Sequence, residues 1–162
     1  MRAFLRACFL FLLGPLLVSG EAQGAPPDAA RLRAALLELQ GGRGALATLA
    51  VTYDDMHGLH GGLTLTIHGD GRVEQRAVRQ KVGHPRPRVS PKDLQQLVAL
   101  LVEVAAWEQR VPPRPPVPDE SQAALRVSVG GERAVIWEWY NDLAKNDRIL
   151  RVRELMKKIA WR

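Results

Sequence analysis

The residues best suited to chemistry are two aspartates and two histidines in one glycine-rich loop, 54–62. Asp54, Asp55, His57 and His60 follow one another closely, and Tyr53 precedes them. Carboxylates and neutral imidazoles are metal ligands, and glycines let a loop bring such side chains together. However, the histidines are not spaced as the helical i, i+4 pair of a zinc protease, and no glutamate follows the first one. The pattern therefore favours a flexible connection over a metal centre, and we expect no metal or other cofactor.

Other catalytic arrangements have few candidates. The single cysteine, Cys8, lies near the amino terminus, so the rest of the chain offers no disulfide framework, cysteine-based zinc site or thiol nucleophile. The chain also contains no phosphate-binding glycine loop. The serines beyond the first 24 residues lie outside any Gly-x-Ser-x-Gly elbow and have no histidine nearby: they are Ser90, Ser121 and Ser128. The sequence therefore favours a protein that is not an enzyme.

The first 24 residues have the pattern of a secretory signal peptide. Arg2 and Arg6 form a basic start, an apolar run covers 7–18, and small and polar residues follow. Twelve residues rise only about 18 Å as a helix, which is too short to cross a bilayer. We therefore expect cleavage after Gly24, a periplasmic or secreted protein, and no transmembrane span in the mature chain.

Positive charge is concentrated in one segment, 72–88, which we call the basic edge. It holds a single acidic residue, Glu74, and six basic ones: Arg72, Arg76, Arg79, Lys81, Arg86 and Arg88. Such a stripe attracts anions and accelerates their encounter. For an exported chain with no nucleic-acid motif, an anionic envelope component or an exported protein is a better partner than nucleic acid. The same charges can also serve to prevent aggregation of an edge strand, and the sequence leaves both purposes open.

Apolar spacing predicts three helices and five strands in the order α-βββ-α-ββ-α. The strands are placed at 46–53, 63–68, 72–82, 123–129 and 132–140. The helices are placed at 29–40, from 91 to about 107, and from 146 or 147 to about 159. Hairpins followed by amphipathic helices predict an α+β fold. We expect a two-layer sandwich with the helices on one face of an antiparallel sheet.

Local signals mark several boundaries of these elements. Ser90 is a typical N-cap, because Pro91 can occupy the first helical position and the hydroxyl can accept the N–H of Asp93. The segments 69–71 and 130–131 are typical of tight hairpin turns. Many charges in the 72–82 strand predict that it lies at a sheet edge.

The mature chain is expected to form one domain. We assign 25–44 to an N-terminal helix and linker, 45–162 to a single α+β domain, and 111–118 to a stiff proline-rich connector within it. All three phenylalanines lie in the leader, so the tryptophans are expected to be mostly core. Trp137 and Trp139 fall on one strand face that a helix can cover, whereas joint exposure would mark a binding surface.

The order of these segments resembles two kinds of exported domain. The runs 69–73 and 89–94 resemble small exported bacterial domains of unknown function. The layout of 46–161 is also similar to the emfourin-type inhibitors of thermolysin-like metalloproteases, which place a Gly-Gly-rich turn after a first strand ending in tyrosine or a similar residue. Tyr53 and the 57–62 loop are the counterparts here, although this loop is longer, bears histidines and lacks the Gly-Gly-Phe-Ala-Gly run. The resemblance implies an alternative function, protease inhibition through Tyr53, Asp54, Asp55, His57 and His60.

Overall fold

The computed structural model describes residues 27–110, 114–115 and 117–161. The predicted signal peptide and part of the proline-rich connector lie outside the described residues. Across the described ranges, no helix combines the length and the apolar character needed to cross a membrane.

Helices and strands follow one another in the predicted order within the described residues. The helices are α1 (Pro27–Gln40), α2 (Pro91–Glu103) and α3 (Asp147–Ala160). The strands are β1 (Leu49–Asp54), β2 (Gly62–His68), β3 (Val73–Val78), β4 (Gln122–Val129) and β5 (Glu132–Trp139). Short 3₁₀ helices cover Leu46–Thr48 and Tyr140–Lys145. The predicted α+β class and element order are confirmed.

The five strands form one sheet in the order β3-β2-β1-β4-β5, and every neighbouring pair is antiparallel. α1 packs against β4 and β5, α3 packs against β2, and α2 lies between the other two helices. Alternate strand residues meet the helices and are fully buried, among them Val51, Leu65 and Leu125. The other face of the sheet, which we call the open face, carries Thr52, Thr66, Arg76 and Arg126.

The structure contains the predicted β2–β3 turn, the predicted N-cap of α2 and the predicted edge strand. Gly71 has a φ of 88° in the β2–β3 turn, where an L side chain would be strained. The Ser90 hydroxyl accepts the N–H of Asp93 at 3.2 Å, and Pro91 opens α2. β3 lies at the sheet edge, as predicted.

Some boundaries differ from the predicted ones. β3 ends at Val78 rather than at residue 82, because Val78 pairs with the first residue of β2 and Arg79 turns the chain with a φ of 56°. Residues 46–48 form a 3₁₀ turn instead of the start of β1. The hydroxyl and the N–H of Thr48 both donate to the carbonyl of Ala45, which favours the turn.

The prediction that the tryptophans are mostly core is wrong for Trp137 and Trp139, whereas Trp107 and Trp161 pack half-buried against the core. Ile136 takes the inward position on β5 and is 2% exposed, so the period of two places Trp137 and Trp139 on the open face. Their rings make an edge-to-face contact with centroids 5.2 Å apart. All four tryptophans are half-buried, and in the described part of the chain Trp137 and Trp139 are not among the side chains that pack against the core. The core is instead built from aliphatic side chains and Tyr53.

Candidate functional site

Asp55 is a charged residue that the fold buries, with 7% of its surface exposed. Its Oδ2 accepts the hydroxyl of Tyr53 at 2.7 Å, and its Oδ1 accepts the N–H of Leu63 at 2.6 Å. Burial and the hydrogen bond to Asp55 raise the pKa of Tyr53 above its usual range, so the hydroxyl stays protonated and donates. Both carboxylate oxygens are therefore engaged in joining the end of β1 to the start of β2.

The segment between these strands, residues 55–61, is a closed turn that we call the histidine loop. His57 and Gly61 exchange two backbone hydrogen bonds of 2.8 and 2.9 Å. His57 Nδ1 accepts the N–H of Leu59 at 3.1 Å and that of His60 at 3.4 Å. The His57 ring also lies 5.1 Å from the ring of Tyr140. These contacts hold Leu59 at the tip, where it is 71% exposed.

The predicted loop residues do not converge on one point. Asp54 and Asp55 are adjacent in an extended segment, so their side chains leave opposite faces of the sheet. Asp54 pairs with Arg126 on the open face at 3.1 Å, whereas Asp55 points into the core. His57 and His60 lie together, with ring centroids 4.7 Å apart. Where the structure describes the chain, no group of three histidine, cysteine or acidic side chains could hold a metal ion.

The members of the basic edge on either side of the 76–81 stretch bind groups of the fold itself. Arg86 donates from Nε to the carbonyl of Trp161 at 2.9 Å, and its N–H bonds Ala160, so it holds the end of α3. Arg72 pairs with Asp70 at 2.8 Å across the turn. Arg88 donates to the carbonyl of the same aspartate at 3.4 Å. The basic edge is therefore not one uniform surface.

The remaining members, Arg76, Arg79 and Lys81, are exposed at the end of β3 and just beyond it. No acidic side chain of the described residues forms an ion pair with any of them. Arg79 donates from Nη1 to the carbonyl of Leu59. This contact joins the basic edge to the tip of the histidine loop. We call Leu59, Arg76, Arg79 and Lys81 the loop–edge surface.

Sequence reasoning treated the loop and the basic edge as separate and missed Leu59. The available signal was an apolar residue between two histidines in a glycine-rich loop, which is the place where a turn exposes its tip. The contact between Leu59 and Arg79 spans 20 positions of the chain. It follows from the pairing of Gly62 with Val78, which brings the end of β3 beside the loop.

The opposite edge of the sheet, β5, is partly closed by a side chain. Gln109 accepts the outward N–H of Trp137 at 2.8 Å and donates to its carbonyl at 3.3 Å. The amide of Gln109 thus bonds Trp137 as a neighbouring strand would. The N–H of Trp139 is bonded in turn by the Glu138 carboxylate at 2.9 Å.

Gln109→Ala is expected to lower the free energy of unfolding by about 1 kcal/mol, because two partly buried backbone groups lose their partner. Amide hydrogen exchange at Trp137 should become faster. Chemical denaturation and exchange measured by NMR check both effects. Gln96→Ala is the matched control, because Gln96 is exposed on α2 and should leave both quantities unchanged. Equal behaviour of the two variants would contradict the role of Gln109.

Arg114 anchors the described part of the proline-rich connector. It donates to both carboxylate oxygens of Glu120, at 2.6 and 2.8 Å, and also pairs with Asp142. The hydrogen bond from Arg114 holds the pKa of Glu120 below its usual range. Lys145 and then Arg114 do the same for Asp142. This cluster ties the connector to the 3₁₀ helix after β5.

Comparison of the chain with protein-family models, with curated proteins and with solved structures gives no match. The relation to the emfourin-type inhibitors therefore stays a prediction. The geometry nevertheless separates the candidate residues into two groups. Asp55 and Arg86 are engaged within the fold, whereas Leu59, Arg76, Arg79 and Lys81 are exposed, and Arg79 contacts Leu59.

Proposed function

We propose that the protein is an exported, non-enzymatic binding module that engages an anionic partner through the loop–edge surface. The observation that supports this most strongly is the hydrogen bond from Arg79 to the Leu59 carbonyl. It places an exposed apolar side chain beside Arg79, and Arg79, Arg76 and Lys81 form no ion pair in the described chain. A partner can therefore meet both kinds of contact at one place.

The two kinds of contact have different effects on binding. Unpaired cations attract an anionic surface over several ångströms and accelerate its encounter, and salt weakens this attraction. Burial of a leucine side chain contributes about 2 kcal/mol once the surfaces meet. The closed turn of the histidine loop already holds Leu59 in place, so little conformational entropy is lost on binding.

Replacing Arg76, Arg79 and Lys81 together by serine is expected to weaken binding to an anionic probe about tenfold. Three exposed cations at about 0.5 kcal/mol each correspond to that factor. Calorimetric titration with heparin, with poly-L-glutamate and with phosphatidylglycerol vesicles, at low and at physiological salt, measures the change.

The matched control replaces Arg31, Lys92 and Lys158 by serine. These residues are exposed on α1, α2 and α3, so the control removes the same charge from the other layer. It should bind the probes as the unaltered protein does. An equal loss in both variants would mean that net charge alone governs binding, and no loss in the first would refute the proposal.

The alternative function is protease inhibition through the histidine loop. One observation favours it: the loop is closed by reciprocal backbone hydrogen bonds and presents a single, highly exposed leucine. A rigid loop with a protruding apolar side chain can occupy a substrate pocket with little loss of conformational entropy. The Gly-Gly-rich turn after Tyr53 is the feature shared with the emfourin-type inhibitors.

Titration against a thermolysin-like protease tests this alternative. We expect inhibition at micromolar concentrations that Leu59→Ser removes. Leu37→Ser is the control, because Leu37 is an exposed leucine on α1, remote from the loop in the fold, and its loss should have no effect. Absence of inhibition by the unaltered protein eliminates the alternative.

A further inference from the structure

We propose that the anionic partner is an acidic polypeptide segment that binds in an extended conformation along β3 and adds a sixth strand to the sheet. The proposal rests on the proposed function and names its partner class and mode of binding. It follows from the backbone groups of β3, from the course of the neighbouring chain and from the charges beside the strand.

The register of the sheet defines which backbone groups of β3 point outward. The N–H of His68 donates to the carbonyl of Arg72 at 2.9 Å, and hydrogen-bonded pairs alternate along an antiparallel ladder. Glu74, Arg76 and Val78 therefore bond to β2. The alternate residues direct their N–H and C=O groups away from the sheet: they are Val73, Gln75 and Ala77.

Nothing in the described chain bonds these outward groups through its backbone. The contrast with β5 is clear, because the corresponding groups of Trp137 are bonded by the Gln109 side chain. Exposed rows of unpaired N–H and C=O groups are templates for pairing with another strand. β3 is thus the edge that an added strand can use.

The connection from β3 to α2 leaves this edge accessible. The Gln75 side chain points to the helix side of the sheet, where it donates to the carbonyl of Gly83 at 3.2 Å. It also accepts the indole N–H of Trp161 at 2.9 Å. Val82 packs against the core on the same side. The connection therefore passes below the sheet plane, and an incoming strand would lie in that plane.

The charges beside the edge select the partner. Arg76 projects from β3 onto the open face, and Arg79 and Lys81 follow at its end. Glu74 is the acidic residue of β3 and lies on the same face two positions before Arg76, so the positive charge is concentrated toward the Arg79 end of the strand. Glutamates or aspartates at the matching end of an added strand would form a favourable cross-strand pair with Arg76 and would approach Arg79 and Lys81 just beyond it. An apolar residue beyond its end could contact Leu59.

The chemistry of the edge favours a polypeptide over other anions. Polysaccharides and lipid headgroups can neutralise the cations, but they cannot supply alternating main-chain donors and acceptors. Strand addition uses main-chain hydrogen bonds for affinity and alternate side chains for specificity. β3 provides main-chain hydrogen-bonding groups and side chains for specificity, because residues with outward backbone groups alternate along it with residues whose side chains lie on the open face.

The test uses an unaltered full chain and a ten-residue peptide of alternating glutamate and valine with blocked termini. Amide exchange measured by NMR should slow about tenfold or more at Val73, Gln75 and Ala77 when the peptide binds. Exchange at Glu74, Arg76 and Val78 should stay unchanged, because those amides already bond to β2. The same peptide N-methylated at each valine keeps its charge but cannot pair fully, and should bind at least about tenfold more weakly.

The outcomes separate this proposal from the proposed function. Peptide binding without protection of the outward amides, or equal binding of the N-methylated peptide, overturns strand addition. Binding of heparin or phosphatidylglycerol vesicles without binding of the peptide overturns it as well. In each of these cases the proposed function stands if the variant with Arg76, Arg79 and Lys81 replaced by serine still binds the anionic probes more weakly than the unaltered protein. If that variant binds every probe as the unaltered protein does, the proposed function fails.

Discussion

Asp55→Ala is expected to lower the free energy of unfolding by about 3 kcal/mol. The substitution leaves the hydroxyl of Tyr53 and the N–H of Leu63 without an acceptor in the core, and each unsatisfied buried group costs about 1–3 kcal/mol. Tyr53 is fully buried, so water cannot replace the lost carboxylate without opening the fold. Denaturation in urea, followed by circular dichroism, measures the change.

Asp55→Asn is the matched control for this prediction. Asparagine has almost the same shape, and its carbonyl can still accept the N–H of Leu63. Its amide can donate to the Tyr53 hydroxyl, which can turn to accept it. We therefore expect a smaller loss than for alanine. If alanine were tolerated as well as asparagine, Asp55 would not be the residue that joins β1 to β2.

Gly61→Ala is expected to lower the free energy of unfolding by about 3 kcal/mol and to displace the histidine loop. A Cβ at this position would lie 2.0 Å from the carbonyl oxygen of Val78, which is backbone and cannot rotate away. Gly61 also has a φ of 72°, where an L residue is strained by about 1–2 kcal/mol. Overpacking adds about 1–3 kcal/mol. Denaturation and amide exchange of residues 57–61 measure both effects.

Gly58→Ala is the control within the same loop. An added Cβ at Gly58 meets no atom within 4 Å, so the free energy of unfolding and the amide exchange of the loop should stay unchanged.

The comparison of these two variants also tests binding at the loop–edge surface. Displacing the loop separates Leu59 from Arg79, so Gly61→Ala should weaken binding at the loop–edge surface while Gly58→Ala leaves it intact. Unchanged binding by Gly61→Ala would mean that the loop and the cations act separately.

The two edge strands of the sheet, β3 and β5, differ in how their side chains deal with unpaired outward N–H and C=O groups. β5 uses Gln109, whose amide pairs with the outward backbone of Trp137. β3 carries exposed charged side chains instead, which are typical of edge strands that resist aggregation. These side chains leave the outward backbone groups of β3 in place, so they are compatible with the strand addition proposed above. The two purposes that the sequence left open for the basic edge are therefore compatible.

Local patterns were sufficient to predict the elements and their order. Alternation defined the strands, helical spacing defined the helices, and Ser90 with Pro91 marked the start of α2. These signals depend on neighbours a few positions apart, so they are readable in the chain itself. The error at the end of β3 occurred where tertiary pairing decides, because Val78 pairs with the first residue of β2.

The tryptophans show what alternation leaves undecided. A period of two assigns Trp137 and Trp139 to one face and Ile136 to the other, but it does not say which face receives the helices. Because tryptophan side chains are large and hydrophobic, the sequence favoured the face of Trp137 and Trp139 as the one that meets the helices. The sheet instead turns Ile136 inward, because its neighbour across the strand pair is the buried Leu125.

By itself, the sequence determined the fold class, the order of the elements, the edge position of β3 and the concentration of positive charge in the 72–88 segment. Only the tertiary structure decided which of those charges face solvent, because Arg86 reaches the end of α3, 75 positions away. It also brought Leu59 beside Arg79 and directed Asp54 and Asp55 to opposite faces. The physical reason is that spacing along a chain encodes local periodicity, whereas a binding surface is assembled from contacts between segments that are remote in sequence.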